Sequence, residues 1–416
     1  MTTFNELYRK LLMEAINGTE IDEMEEKYRG ECDANQLDCL LHPKKHPTVW
    51  RLDECDCPPD QKSECAKNCP FDAITRDEDS HAKINPEQCV GCTTCVDHCP
   101  AKKLVASKDI IPCLRAIRNH SGLSYALVAP AFLGQFSDAV TPGKLRNALK
   151  EIGFDGMVEV SLFADILTLK EALEFDHNIK NESDYQLTSC CCPVWIAMIR
   201  KIYHDLMPHV PGSVSPMIAS GRTVKHMHPD ALTVFIGPCM AKKSEAREPD
   251  LVGDIDYVLT FQEVNDIFEA MNIDPAKMEE SEKDHSSRAG RIYARTGGVS
   301  EAVVETLKRI NPNPTVSIRT KQADGVSACK AMVNELLAGN MDANFYEGMG
   351  CNGGCVGGPK RIIDVDVAKD NVNDYGNQAT YPTPIDNPYV IELLHRLGFD
   401  TVESLLEDSD IFTRHF

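Results

Sequence analysis

Positive charge is scarce in this sequence. Its 43 lysine and arginine residues face 64 aspartate and glutamate residues, which leaves a formal net charge of −21. An acidic surface repels the phosphate backbone, so we expect no nucleic-acid partner. Long apolar runs are also missing, because no stretch approaches the ~18 residues that a membrane span requires. We therefore expect an acidic protein that has no membrane partner.

The first six residues, Met1-Thr2-Thr3-Phe4-Asn5-Glu6, lack the basic segment and the apolar core of a secretory signal peptide. A secreted disulfide framework is therefore disfavoured, although 18 cysteines among 416 residues are many. The cysteines are bunched two or three residues apart, and this spacing suits metal better than disulfides. The sequence predicts a cytoplasmic protein of two or three domains whose cysteines bind metal.

Cysteines also occur in three short loops that lie far apart in the chain. Iron–sulfur clusters are held by thiolates that converge from separate loops. Pro193 can begin a helix that continues to Tyr203, and the positive end of that helix would favour thiolates just before it. The loops are Thr188-Ser189-Cys190-Cys191-Cys192-Pro193, Pro238-Cys239-Met240-Ala241-Lys242-Lys243 and Glu347-Gly348-Met349-Gly350-Cys351-Asn352-Gly353-Gly354-Cys355.

The segment before these loops contains a bacterial ferredoxin pattern, in which three cysteines bind one 4Fe–4S cluster and the fourth reaches the other. Its second half, Cys89–Pro100, has regular spacing, whereas the first half, which ends at Cys69-Pro70, is stretched. Zinc would not require two four-cysteine halves that each end in Cys-Pro. Crossing the fourth ligands predicts two sets: Cys55, Cys57, Cys65 and Cys99, and Cys69, Cys89, Cys92 and Cys95.

From Leu123 onward the chain alternates between buried strands and helices, which predicts an α/β region. Before it, we expect helices over 3–17 and 21–28 and a linker at Ile110-Ile111-Pro112. Cys32 and Cys39 match no ligand pattern and are interpreted as ordinary thiols. The predicted strands are 126–132, 157–162, 233–236, 256–261 and 291–294, and the charged stretch 278–288 is expected to be an exposed loop.

The three cysteine loops, in this order and behind a ferredoxin-like segment, resemble the signature loops of the iron-only (FeFe) hydrogenases. The resemblance runs from about residue 50 to the C-terminus. It implies an α/β catalytic domain, with two parallel-sheet lobes around the active-site cluster, preceded by a small ferredoxin-like α+β domain with two clusters. The expected domains are a helical segment over 1–49, the ferredoxin-like domain over 50–112 and the catalytic domain over 113–416.

The resemblance also implies an H-cluster, a 4Fe–4S cubane joined to a diiron unit that carries CO, cyanide and a dithiolate. Lys242 would bind a cyanide, although a solvated lysine beside Lys243 is the alternative. Cys191 would donate protons, with Glu171 and Glu174 as relay carboxylates unless they form a solvated acidic face. Met349 would pack on the diiron unit, and Ala129 and Pro130 would form the pocket wall. The cubane ligands would be Cys192, Cys239, Cys351 and Cys355, of which Cys355 also bridges to the diiron unit.

Several positions depart from the family pattern. A typical member has Ser in place of Cys190, Met in place of Gly237 and Gln in place of Met217. The relay serine falls at about Pro211, which cannot donate a hydrogen bond, so that Ser213, Ser215 or water is left to replace it. The sequence therefore resembles a less typical branch of the family, and the role of Cys190 is left open.

The reaction implied by the resemblance is the reversible reduction of protons to dihydrogen. The implied partners are ferredoxin or flavodoxin as electron carrier, and hydrogenase maturation proteins. Arg76, Lys102, Lys103 and Lys108 form a basic patch on which an acidic carrier could dock. Two alternatives stay open: a hydrogenase-like iron–sulfur assembly factor, which makes no hydrogen, and a hydrogen sensor.

Overall fold

The computed structural model of the chain describes residues 2–58, 60–61, 63–188, 191–281 and 285–416. The N-terminal helices form where they are predicted, and Thr3 caps the first one in a capping box with Glu6. The apolar face of this helix is buried against later helices that begin at Ile110 and Phe261. Cys39 lies in a helix rather than in the predicted loop, and both it and Cys32 are buried thiols. These helices are α1 (Phe4–Asn17), α2 (Ile21–Tyr28) and α3 (Ala34–Leu41).

The ferredoxin-like segment is a pair of short hairpin-like sheets with two single-turn helices. β1 pairs antiparallel with β4, and β2 pairs antiparallel with β3. The second helix and strand begin 30 residues after their counterparts, as Glu64 and Thr94 and then Ile74 and Leu104 show. The elements are β1 (Val49–Arg51), α4 (Glu64–Lys67), β2 (Ile74–Arg76), β3 (Ala82–Ile84), α5 (Thr94–Asp97) and β4 (Leu104–Ala106).

The predicted linker at Ile110-Ile111-Pro112 is wrong, because these residues form the first turn of helix α6 (Ile110–Asn119). Proline is tolerated there since the amide groups of a first turn have no partner within the helix. Ile110, Ile111 and Cys113 are fully buried. Their burial explains why the chain packs here instead of crossing solvent.

The catalytic region consists of parallel strands that alternate with helices. Its elements follow in chain order: β5 (Ser124–Val128), α7 (Pro142–Ile152), β6 (Gly156–Glu159), α8 (Ser161–Asn178), β7 (Gln186–Leu187), α9 (Pro193–Ile202), α10 (Pro216–Met227), β8 (Leu232–Gly237), α11 (Ala241–Glu245), β9 (Tyr257–Thr260), α12 (Phe261–Met271), α13 (Arg288–Arg291), α14 (Gly298–Ile310), β10 (Thr320–Asp324), α15 (Val326–Leu337), β11 (Phe345–Met349), α16 (Val365–Asn377) and α17 (Pro388–Arg396).

In the described part of the chain, these strands form two separate parallel sheets, ordered β6-β5-β8-β9 and β10-β11-β7. The prediction of an α/β domain with two parallel-sheet lobes is therefore confirmed. The carboxyl ends of β5, β8 and β11 lead directly into Ala129-Pro130, Pro238-Cys239 and Gly350-Cys351. Open α/β sheets bind ligands at such ends.

Some predicted strands are shorter or are not strands. The strand over 126–132 ends at Val128, and the strand over 157–162 ends at Glu159 before helix α8 begins. The predicted strand over 291–294 is wrong, since α13 and a 3-10 turn occupy it. Asp165 on α8 accepts hydrogen bonds from the backbone amides of Ser287 and Gly290, and so caps the start of α13. This partner lies more than 120 residues away in sequence.

Two large clusters of buried side chains fill the catalytic region. One surrounds the four-stranded sheet, and the other centres on Trp195 of α9 and on Phe345 and Tyr346 of β11. The stretch 278–288 is only partly exposed, because Ser286 and Ser287 are buried. Among the described residues, no helix is both long and apolar enough to cross a membrane.

Candidate metal centre

A cavity with about 800 Å³ of empty space lies where loops of both lobes meet. Its walls are mostly apolar, and residues from all three cysteine loops reach it. Cys192, Cys239, Cys351 and Cys355, which the resemblance assigns to the cubane, all line this cavity. The structure therefore brings together four thiols from positions up to 163 residues apart in sequence (Cys192 to Cys355).

Each of these thiols is placed by the end of a regular element. Cys239 follows β8, and Cys192 is the residue that precedes α9. The backbone amide of Gly350 donates to Cys192 Sγ at 3.3 Å. Burial, followed by the neighbouring thiol of Cys192, raises the pKa of Cys239 to about 11 and that of Cys355 to about 12. Crowded buried thiols are stable as thiolates only next to a cation, so this donor set fits a metal cluster.

Glycine is required where the third loop packs on α9. A Cβ added to Gly348 would lie 2.0 Å from Trp195 Cε3, and one added to Gly350 would lie 2.5 Å from Val194 Cβ. Only a residue without a side chain allows this approach. The contact holds Cys351 close to Cys192, which begins the same helix.

Lys242 lies in the cavity wall with a side chain that is only 8% exposed. Its Nζ donates to Glu245 Oε2 at 2.7 Å. Burial lowers the pKa of Lys242, but the Glu245 carboxylate outweighs that effect and the net pKa is raised. Lys242 is thus a buried cation and not a solvated lysine, whereas its binding of cyanide stays a prediction. The adjacent Lys243 is fully buried and forms ion pairs with Glu263 and Asp109.

Cys191 also lines the cavity, directly beside Cys192. Burial, with further contributions from Cys192 and Glu171, raises the pKa of Cys191 well above the usual thiol range. Glu171 is 1% exposed on α8 and is close enough to Cys191 for their charges to interact. Glu174 is buried too, and Lys170 holds it at 2.9 Å. The alternative of a solvated acidic face is therefore wrong.

The other residues predicted for the pocket are divided between the wall and positions outside it. Ala129, Pro130, Met217 and Met349 line the cavity. Ser215 Oγ accepts from the amide of Ile218 and caps α10, and Ser213 bridges to Thr413. Cys190 lies outside the described residues.

The regular half of the ferredoxin pattern forms a second, smaller void of about 320 Å³. Its walls include four cysteines, and the backbone amide of Ala73 donates to Cys69 Sγ at 3.3 Å. Burial raises the pKa of Cys89 to about 11. The cysteines brought together are the predicted set Cys69, Cys89, Cys92 and Cys95, which we call the inner set.

The stretched half still brings its four cysteines together. Burial, followed by effects that include the other three thiols, raises the pKa of Cys57. Backbone amides of Ala82 and Lys103 donate to Cys55 Sγ and Cys99 Sγ at 3.2 and 3.3 Å. Within the described ranges, no three His, Cys, Asp or Glu side chains are arranged to hold a single metal ion. The predicted set Cys55, Cys57, Cys65 and Cys99 is called the outer set.

The outer set, the inner set and the cavity follow one another in space. Cys65 of the outer set is near enough to contribute, after burial, to the raised pKa of Cys95 in the inner set. Cys92 of the inner set contributes in the same way to Cys351 of the cavity. The three groups of thiols therefore form a continuous series from the ferredoxin-like segment to the cavity.

Residues 123–359 match the family model described as "iron only hydrogenase large subunit, C-terminal domain", and residues 82–102 match a 4Fe–4S binding domain. The first match covers more than half of the chain. The chain belongs to the iron-only hydrogenase family.

Known members of this family are moderately similar to the chain. Iron hydrogenase 1 of Clostridium pasteurianum is 29% identical over 57% of this chain and 49% of its own length. The NADP-reducing hydrogenase subunit HndD of Solidesulfovibrio fructosivorans is 28% identical over 74% of the chain and 63% of its own length. The chain thus spans about half to two thirds of these relatives. The FeFe hydrogenase structure from Chlamydomonas reinhardtii superimposes with a TM-score of 0.61 at 22% identity, covering 74% of this chain and 98% of that one.

The family also contains relatives that do not bear the name hydrogenase. The nuclear prelamin A recognition factor of Xenopus laevis is 23% identical over 74% of this chain and 81% of its own length. A protein of Schizosaccharomyces japonicus named as a cytosolic Fe-S cluster assembly factor is 31% identical over 22% of this chain and 20% of its own length. Membership of the iron-only hydrogenase family therefore establishes an iron–sulfur protein of hydrogenase type and leaves its reaction to be tested.

Sequence reasoning missed Tyr293, which lines the cavity of this hydrogenase-type protein. Its buried hydroxyl finds no hydrogen-bond partner among the described residues. Burial, followed by Glu171 and Cys191, raises the Tyr293 pKa well above its usual range, so all three groups are neighbours. The false strand prediction over 291–294 hid this residue, because a strand would have no reason to point Tyr293 at the cavity.

Two supporting residues were missed as well. Glu347 accepts from the amides of Gly297 and Ser300 at 2.8 and 2.7 Å and thereby caps α14. The thiol of Cys329 donates to the Met349 carbonyl at 3.3 Å. A charged residue such as Glu347 beside the Gly-rich third loop was the one available signal, since a buried carboxylate requires several donors.

Proposed function

We propose that the protein interconverts protons, electrons and dihydrogen, and that it exchanges the electrons with a soluble carrier such as ferredoxin or flavodoxin. One observation supports this proposal above all others. The four cysteines of the cavity share it with the buried cation Lys242, with the thiol of Cys191 and with Met349. A cluster that only transfers electrons has no need of the last three groups.

The cavity fits an H-cluster by the chemistry of its donors. Cys192, Cys239, Cys351 and Cys355 would hold the cubane, and Cys355 would also contact the diiron unit. Lys242, kept cationic by Glu245, would face an anionic ligand of that unit. When bound, this cofactor supplies the iron at which protons and electrons combine.

The surrounding residues would handle the proton and exclude water. Cys191 would carry a proton at Sγ, because a thiol titrates closer to neutrality than a hydroxyl does. Glu171 lies near Cys191 and would exchange the proton with it. Ala129, Pro130 and Met349 would keep the cavity apolar, which strengthens hydrogen bonds inside it. Glu174 would continue the path through its ion pair with Lys170.

Electrons would pass from the outer set through the inner set to the cavity. Docking of an acidic carrier near the outer set remains a proposal, and the structure changes which cations are free for it. Lys103 contacts Asp53 at 3.5 Å, and Lys108 lies over the ring of Tyr8. Lys102 is exposed and is thus the best of the four candidates. Cytoplasmic location and loading by hydrogenase maturation proteins belong to the same proposal.

The assembly-factor alternative is favoured by the similarity to the cytosolic assembly factor. Such a protein would hold cubanes without a diiron unit. Lys242, Cys191 and Met349 favour the hydrogenase, because a cubane alone gives them no ligand to contact.

Infrared spectroscopy of protein matured under anaerobic conditions tests the proposal. We expect bands of metal-bound CO and cyanide, hydrogen production from a reduced carrier, and about 14 iron atoms per chain for three cubanes and one diiron unit. Cys192→Ala is the matched control, since it should lose these bands while both ferredoxin-type clusters remain. Fully loaded cubanes with neither the bands nor hydrogen production would instead identify a cubane-only protein.

A further inference from the structure

The two halves of the ferredoxin-like segment differ at one matched position. Cys65 and Cys69 correspond to Cys95 and Cys99, 30 residues later, and β2 corresponds to β4 with the same offset. The last residue of β2 is Arg76, and the last residue of β4 is Ala106. The first half therefore carries a guanidinium at a place where the second half carries a methyl group.

The Arg76 side chain is bound to a cysteine of the outer set. Its Nη2 donates to Cys65 Sγ at 3.6 Å, and its Nη1 donates to the carbonyl of Ser80 at 3.1 Å. Cys65 is 3% exposed, and the contact is partly buried, so solvent screens it only in part. The second bond, to the β2–β3 turn, holds the guanidinium in place.

The inner set has different neighbours. Ala73 donates a backbone amide to Cys69, and the Thr94 hydroxyl lies 3.4 Å from Cys92 Sγ. The cation near this set is Lys201, whose ammonium donates to the carbonyls of Glu87 and Gln88 rather than to sulfur. The described contacts of the inner set with sulfur are thus neutral, whereas the outer set has a charged one.

We propose that Arg76 raises the reduction potential of the outer cluster above the value that the neutral contacts alone would set. When a carrier gives up one electron, the cluster that accepts it gains one negative charge. A guanidinium bonded to a cluster thiolate stabilises this more negative state more than the oxidised one. Arg76 would therefore make the outer cluster the place where an incoming electron is retained before it moves inward. This inference rests on the ligand sets of the proposed function and not on hydrogen turnover.

The inference changes the role that sequence reasoning gave to Arg76. As a docking residue, Arg76 would alter how tightly the carrier binds. As a residue that acts through Cys65, it would alter the potential of the isolated protein with no carrier present. These two roles are separable by measurement.

The test uses the full chain with both ferredoxin-type clusters loaded and without the diiron unit. Potentiometric titration followed by electron paramagnetic resonance gives a midpoint for each cluster. In Arg76→Gln we expect a roughly tenfold change in the electron-transfer equilibrium, which lowers the outer midpoint by about 59 mV and leaves the inner midpoint unchanged. Lys83→Gln removes an exposed cation from the paired strand β3 and should leave both midpoints unchanged.

Other outcomes overturn the inference or the proposal beneath it. An unchanged outer midpoint in Arg76→Gln, or an equal decrease in Lys83→Gln, would refute the inference. Arg76→Met provides a second neutral variant, and failure of both neutral variants to load the outer cluster would assign Arg76 a purely structural role. If the unaltered protein binds only one ferredoxin-type cluster, the outer ligand set of the proposed function is wrong instead.

Discussion

In the ferredoxin-like segment, cysteines that are close in sequence form the sites, whereas the catalytic cavity draws its cysteines from loops that strands bring together. Cys89, Cys92, Cys95 and Cys99 fall within 11 residues, and their strands are three residues long. The buried cluster of this segment consists largely of its own cysteines and a few aliphatic side chains. The cavity is instead supported by two sheets and by the packing around Trp195.

This difference shows where the stability of each site comes from. A segment with so small an apolar core cannot offset the conformational entropy of folding by itself, so its clusters must contribute to its stability. The catalytic region has enough buried apolar surface to hold its cysteines in place before any cofactor is bound. The cavity is therefore a preformed site, and the ferredoxin-like segment folds together with its metal.

Removal of iron should produce the largest contrast between the two regions. We expect residues 50–107 to lose their amide protection and the sheets of the catalytic region to retain theirs, because only the first region depends on metal for its core. Hydrogen exchange followed by mass spectrometry measures this on the chain with and without its clusters. Equal loss of protection in both regions would mean that the cavity is not preformed.

Within the cavity, Cys191 and Cys192 should separate catalysis from assembly. Cys191→Ala should keep the infrared bands and lower turnover by about 10²–10⁴-fold, since a methyl group cannot relay a proton. Cys192→Ala should fail to retain the cofactor. Cys190→Ser serves as the control and should keep both properties. If Cys190→Ser abolishes turnover while Cys191→Ala retains it, the assignment of the three cysteines is off by one.

The contact between the third loop and α9 offers a test of packing without any metal ligand. Gly348→Ala places a Cβ 2.0 Å from Trp195 and should lower the free energy of unfolding by about 1–3 kcal/mol. Adding Trp195→Leu should recover part of this loss, because the smaller side chain leaves space for the new methyl group. Urea titrations of the two single variants and the double variant measure the coupling. Strict additivity would indicate that the two residues do not press on each other.

A smaller effect is expected from Asp165, which caps α13 and so positions the turn that carries Tyr293. Burial raises the pKa of Asp165 to about 6, although Ser287 and Gly290 donate to it. A raised carboxyl pKa favours the folded state most at low pH, and this contribution is lost as the pH rises through 6. We expect the free energy of unfolding to fall by about 1 kcal/mol more in the unaltered protein than in Asp165→Asn between pH 5 and 7. Parallel pH profiles of the two proteins would contradict this.

The sequence alone determined the parts of this protein that depend on neighbours in the chain. The ferredoxin cysteines could be grouped into sets because their spacing is local, and most of the strands were found from their apolar runs. Residues at strand ends, such as Cys239 after β8, could be expected at a site because parallel strands share one edge. The resemblance to the FeFe hydrogenases added roles for Lys242 and Cys191, since it rests on the same short loops.

Only the tertiary structure decided the features whose partners lie far along the chain. The turn at 291–294 is helical because Asp165 caps it from α8, and Tyr293 reaches the cavity for the same reason. Glu347 is buried because the amides at the start of α14 satisfy it. The contact of Arg76 with Cys65 depends on the β2–β3 turn that holds the guanidinium. Spacing along the chain does not determine such contacts, because they form only after distant segments have packed.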